Sequence, residues 1–104
     1  MSMEAVATRE LEFSPKGETA RSPLTIEVFK PFQLQPGQVS FNFAPGTSGC
    51  RVEFKGLGTS KFNSIFYGAD LLQALQLAAD IDPILRRINK EYELYFLDGE
   101  SYFE

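Results

Sequence analysis

The chain has 104 residues, with 43% hydrophobic and 23% charged side chains, a net charge of −4, one cysteine and no histidine or tryptophan. A chain of this mass buries roughly 65% of its extended surface on folding, enough for one hydrophobic core and one domain. The missing histidines exclude Ser-His-Asp and Cys-His nucleophiles and HExxH zinc sites, and the single cysteine excludes an internal disulfide and any multi-cysteine metal centre.

Residues 1 to 4 carry no pattern and are expected to be loose. From Ala5 to Phe13 the pattern becomes a strand with Leu11 and Phe13 on one face and Glu10 and Glu12 on the other. Ser14-Pro15-Lys16-Gly17 is a turn signal, and the polar run to Ser22-Pro23 reads as a loop. Leu24, Ile26 and Val28 then alternate with Thr25, Glu27 and Phe29 in a second strand. Pro31 lacks an N–H, so this strand stops there or lies at an edge. Gln35-Pro36-Gly37-Gln38 is the next turn, and Phe41 and Phe43 mark an expected third strand. Cys50 to Lys55 is the clearest period-two segment, with Cys50, Val52 and Phe54 inward and Arg51, Glu53 and Lys55 outward. Gly56-Leu57-Gly58 closes it, and Ile65-Phe66-Tyr67 is a short apolar run.

Asp70 and Gln73 stand at capping-box spacing ahead of an apolar stripe of Leu71, Leu72, Leu75, Ala78 and Ala79, which predicts a helix. Pro83 inside that helix would cost about 3 kcal/mol. The expected solution is a break near Ile81 and a second piece with Asp82 as N-cap and Pro83 at its first position, burying Ile84, Leu85 and Ile88. Tyr92 to Leu97, Asp98-Gly99 and Glu100 to Phe103 spell a C-terminal hairpin with a two-residue turn. This order predicts an α+β domain over residues 1–104: one antiparallel sheet of five to six strands, with one main helix, kinked near Pro83, packed on one face.

Three stretches, Pro23 to Phe32, Gly49 to Gly58 and Tyr67 to Ala78, resemble a family of small bacterial proteins of unknown function. Its shared pattern is a Gly-x-Asp-x-hydrophobic-Gln-Ala helix start after a strand. The resemblance implies the same fold and a bacterial cytoplasmic setting; it implies no catalytic residues and no ligand.

The chemistry-bearing groups each have a plain structural alternative. Gly56 to Lys61 suggests a phosphate cradle, but no amphipathic helix opens behind it, as a P-loop requires. Cys50 lies on an inward face with no histidine to activate it and reads as a small core residue. Glu10 and Glu12 share a strand face without an apolar pocket to tune them, and Asp80 and Asp82 fall on opposite sides of a helix. Residues 91–104 hold Glu91, Glu93, Asp98, Glu100 and Glu104 with no basic side chain, whereas the first 90 residues hold ten basic and nine acidic groups. That acidic hairpin is either a solvated, charge-guarded edge or a docking surface for a basic partner. Ten phenylalanines are many for one sheet face. Phe29 belongs either to an exposed patch for a partner or a second copy, or to a covered second face.

The expected function is a non-enzymatic protein-interaction domain that binds another protein or itself, as a homodimer. Its candidate surface is Glu91, Glu93, Asp98, Glu100 and Phe29, and Asp70 and Gln73 act as a structural cap. A narrower form is an immunity- or antitoxin-like inhibitor of a basic toxin. The reading from another class is a small-ligand-binding protein with a phenylalanine-lined cavity. No catalytic, cofactor or metal residues are assigned. Nucleic acid is excluded as a partner by a pI of about 4.8. A membrane is excluded because no apolar run approaches the ~18 residues of a span, and without a signal-peptide pattern the expected compartment is the cytoplasm.

Overall fold

The computed structural model describes residues 4–103; of the four residues expected to be loose, 1–3 fall outside them, and Glu4 is tied down, its carbonyl accepting from the Lys30 N–H at 2.8 Å. The strands are β1 (Ala5–Pro15), β2 (Ser22–Phe29), β3 (Phe32–Gln33), β4 (Ser48–Lys55), β5 (Ser64–Gly68) and β6 (Tyr92–Tyr95). Two helices, α1 (Leu71–Ala79) and α2 (Asp82–Ile88), lie between β5 and β6. All strand pairs are antiparallel, and β2 and β3 pair end to end with the same side of β4. The lateral order is therefore β5, β4, β2 with β3, β1 and β6, as expected for an α+β domain with one sheet.

Strand alternation sets the two faces of the sheet. Leu11, Phe13, Leu24, Ile26, Val28, Cys50, Val52, Phe54 and Leu94 are buried toward the helices, where they meet Ala74, Ala78, Ile81, Ile84, Leu85 and Ile88. Each large aliphatic side chain buried this way contributes about 1.5–3 kcal/mol relative to exposure. The outer face carries Glu10, Glu12, Thr25, Glu27, Arg51, Glu53 and Lys55. Glu27 and Glu53 stand directly opposite each other across β2 and β4, a like-charge pair offset by Lys55 on Glu27 and Arg51 on Glu53.

The Phe41–Phe43 strand is not formed. The segment 34–47 is a loop bounded by turns at Pro36-Gly37 and Pro45-Gly46, with Gly37 and Gly46 at φ +92° and +90°. The pairing expected of Phe41 and Phe43 falls instead to Phe32 and Gln33, which resume the line of β2 just past Pro31.

Asp70 caps α1: its Oδ1 accepts from the Gln73 N–H at 2.8 Å, and Gln73 Oε1 accepts from the Ala69 N–H at 2.6 Å. Both halves of the capping box are present, with the return bond one residue before the cap. The helical segment breaks ahead of Pro83 as expected, but the N-cap of α2 is Ile81, not Asp82. The Ile81 carbonyl already accepts from the Leu85 N–H, while the Asp82 carboxylate accepts from the Tyr102 hydroxyl at 3.1 Å.

The C-terminal turn contains three residues, Leu97-Asp98-Gly99, not two. The Gly99 N–H reaches the Phe96 carbonyl, Phe96 donates to Glu100, and Gly99 sits at φ +95°; this is a type I turn closed by a left-handed glycine. The return strand is a single bridge, Ser101 to Tyr95. Beyond it Tyr102 and Phe103 pack on the core and on each other, ring centroids 4.9 Å apart, which takes the tail out of the sheet.

Candidate functional site

The face that α1 turns to the sheet differs from the stripe expected of it. At about 100° per residue, Leu71, Leu75, Ala79 and Leu72 span one sector, and Ala74 and Ala78 lie on its neighbour. The alanines are fully buried. Leu71 and Leu72 are 42% and 63% exposed, Leu75 is half-buried and Ala79 is exposed. Leu77, on the opposite flank, is 43% exposed.

The cause lies in the connection. Only Ala69 and Asp70 separate β5 from α1, so the first turn runs close over Gly68, where a Cβ would stand 2.7 Å from the Ala74 nitrogen. At that separation alanine fits between helix and sheet and leucine does not. Leu72 is thereby left largely in solvent, and Leu71 beside it keeps 42% of its surface exposed. Asp70 and Asp80 bracket them, and neither forms an ion pair among the described residues. On the Leu77 side a groove of about 410 Å³ runs between α1, α2 and β5, lined by Phe66, Leu77, Pro83 and Ile84.

The residues expected to form a partner surface do not share one. Phe29 is only 6% exposed, which removes it from any exposed patch, while the rest of the outer face, from Glu10 to Lys55, stays partly or fully open. The 34–47 loop meets the sheet at β5. There the Phe41 ring stands edge-on to Tyr67 at 5.2 Å and Phe43 packs on Phe41. Glu91 pairs with Lys61 at 2.7 Å and Glu93 with Lys16 at 2.9 Å. Asp98 Oδ1 accepts from the Glu100 N–H within the turn, and Glu100 is exposed. Arg21 stacks on Tyr95 and Arg86 on Phe103. The acidic segment is therefore acidic in sequence and mixed in space.

The remaining chemistry is structural. Burial pushes the Cys50 thiol up, and its Sγ donates to the Phe29 carbonyl. Glu27 raises Lys55 through a hydrogen bond and its charge. Tyr102 accepts from Arg9 at 2.7 Å and donates to Asp82, and burial is the main cause of its raised pKa. Among the described residues no cluster of three metal-ligating side chains occurs, and no helix is long and apolar enough to cross a membrane. Gly56 to Lys61 forms a connection between β4 and β5, anchored in the core by Leu57 and Phe62.

The expected stripe is split: Ala78 and half-buried Leu75 pack on the core, whereas Leu71, Leu72 and Ala79 are exposed. No family model, curated protein or solved structure matches this chain.

Proposed function

We propose that this chain is a non-enzymatic protein-interaction domain whose partner docks on the leucine flank of α1. The observation that carries this reading is the exposure of Leu71 and Leu72 beside a fully buried Ala74 and Ala78. A short helix that hides its smallest apolar side chains and presents its largest is built like half of an interface. Asp70 and Asp80 at its ends, which form no ion pair among the described residues, favour a partner with an apolar patch rimmed by basic side chains, in keeping with the net charge of −4. An inhibitor of a basic toxin, of the immunity or antitoxin kind, is the narrower form. A photo-crosslinking side chain at position 72 is expected to capture a protein that the same group at the exposed position 97 does not. Equal capture from both positions would refute the site.

A second reading, small-ligand binding, is favoured by a cavity of about 750 Å³ in the 34–47 loop, lined by Leu34, Val39, Phe41 and Phe43 and no charged side chain. It requires a rise in melting temperature with an apolar ligand, reduced by Phe41→Ala.

A further inference from the structure

The N-terminal half of β1 ends in an open sheet edge, and the direction of its backbone groups follows from the hydrogen bonds around β6. Tyr102 donates to the Leu94 carbonyl and Phe96 donates to Glu100, so Leu94 and Phe96 turn their backbone groups toward the tail. Glu93 and Tyr95 therefore face β1, where they stand opposite Ser14 and Glu12. The Lys16 N–H bonds to the Glu91 carbonyl on the same side. Backbone groups alternate along a strand, and the β1–β2 register is unbroken from Ala7 to Phe13. Thr8 and Glu10 thus point their N–H and C=O groups out along this edge, beyond the end of β6, with no partner among the described residues.

The guards on this edge are a bulge at its start and the charged pair Arg9 and Glu10 at its other end, with none between. Ala5 to Thr8 contains no charge and no proline, and every residue from Ala5 to Glu10 is exposed. Arg9 is held by Tyr102. Behind Ala7, a small groove of about 200 Å³ is lined by Ile26, Val28, Ala79 and Ile81. A bulge between Ala5 and Ala7 limits the usable length to about five residues, roughly 17 Å of strand.

We infer that this edge pairs with the same edge of a second copy, antiparallel about a two-fold axis at Thr8. Charge excludes two registers, and the bulge excludes a third, centred on Ala7, whose paired residues 5 to 9 would contain it whole. When both helix layers lie on the same side of the joined sheet, opposed residues have the same parity. Centring on Arg9 would oppose two guanidinium groups, and centring on Glu10 two carboxylates. Centring on Thr8 places Thr8 against its copy, Ala7 against Arg9 of the second copy and Val6 against Glu10 of the second copy, with no like charges opposed. The surface adjoins the C-terminal end of α1 at Ala79 but includes neither Leu71 nor Leu72, and it stands on a different observation.

Sedimentation equilibrium and hydrogen exchange test it. The mass is expected to rise from 11.7 kDa toward twice that value with concentration, and the Thr8 and Glu10 amides to become protected in step. Thr8→Lys opposes two ammonium groups at the axis while altering only an exposed side chain; it is expected to abolish the rise with unchanged circular dichroism. Thr8→Cys is expected to form a disulfide-linked dimer under mild oxidation, with the fully buried Cys50 silent, and Thr25→Cys to form none. A single 11.7 kDa species at all concentrations overturns the inference, as does a dimer that Thr8→Lys leaves intact. Should Thr8→Lys fail to fold, the Thr8→Cys crosslink decides: its formation supports the pairing and its absence overturns it.

Discussion

Gly68→Ala places a methyl group where α1 begins. A Cβ there would lie 2.7 Å from the Ala74 nitrogen, 3.0 Å from the Gln73 carbonyl carbon and 3.0 Å from Gln73 Cβ. Two of these atoms are helix backbone, so no side-chain rotation relieves the contact. Ordinary contact starts near 3.4 Å, and the first turn has to retreat by up to about 0.7 Å. That movement loosens Ala74 and Ala78 against the sheet and lengthens the 2.6 Å bond from Ala69 to Gln73. Overpacking of this kind costs about 1–3 kcal/mol, and partial loss of the cap up to about 1 kcal/mol more, so the expected loss is about 2–3 kcal/mol. With a urea m-value of about 1.5 kcal/mol/M, the unfolding midpoint falls by about 1.5–2 M. Gly58→Ala is the control: its φ is +76°, and nothing lies within 4 Å of its Cβ, so only backbone strain of about 1–2 kcal/mol applies. A Gly68→Ala midpoint no lower than that of Gly58→Ala would refute the close approach, and with it the reason given for the turn of the helix.

Asp70→Ala removes the acceptor of the Gln73 N–H and is expected to lower stability by about 1 kcal/mol, with Asp70→Asn recovering most of it in the same urea titration. Tyr102→Phe deletes two hydrogen bonds and is expected to cost about 1–2 kcal/mol near neutral pH. Because the folded pKa of Tyr102 is raised, its contribution is fully present below the ordinary phenol value of about 10 and is lost as pH rises through the raised value. Wild-type stability should therefore fall toward the Tyr102→Phe curve in strongly alkaline buffer; parallel curves throughout would contradict the assignment. Cys50, fully buried and pushed up by burial, is expected to react with a thiol reagent only as fast as the protein unfolds. Labelling at the rate of a free thiol in native buffer would count against that burial.

Local pattern made much of this fold legible. In β2 and β4 each alternate residue points where period two requires, and the Asp70–Gln73 box and the break before Pro83 follow from short-range chemistry. The rotation of α1 did not follow, because its apolar arc runs from Ala74 through Leu71 and Leu75 to Leu72. Periodicity gives the width of such an arc, not the sector that meets the sheet. The sector is chosen by clearance over Gly68, which is a tertiary fact. The acidic tail misled for a related reason: Lys16 and Lys61, which pair with Glu93 and Glu91, lie 77 and 30 residues away in sequence. Period two sets Phe29 opposite Val28 on its strand but carries no signal for its burial, which leaves it only 6% exposed.

The most direct test of the leucine flank is the double variant Leu71→Gln/Leu72→Gln, measured for both stability and partner capture. The expected result is a urea midpoint within about 0.7 M of wild type, since each exposed substitution changes stability by about 0.5 kcal/mol or less and the pair by about 1 kcal/mol or less. The protein crosslinked from position 72 should at the same time be lost. A midpoint lower by more than about 1 M would place the leucines in the core, and undiminished capture at an unchanged midpoint would remove the flank as the binding surface.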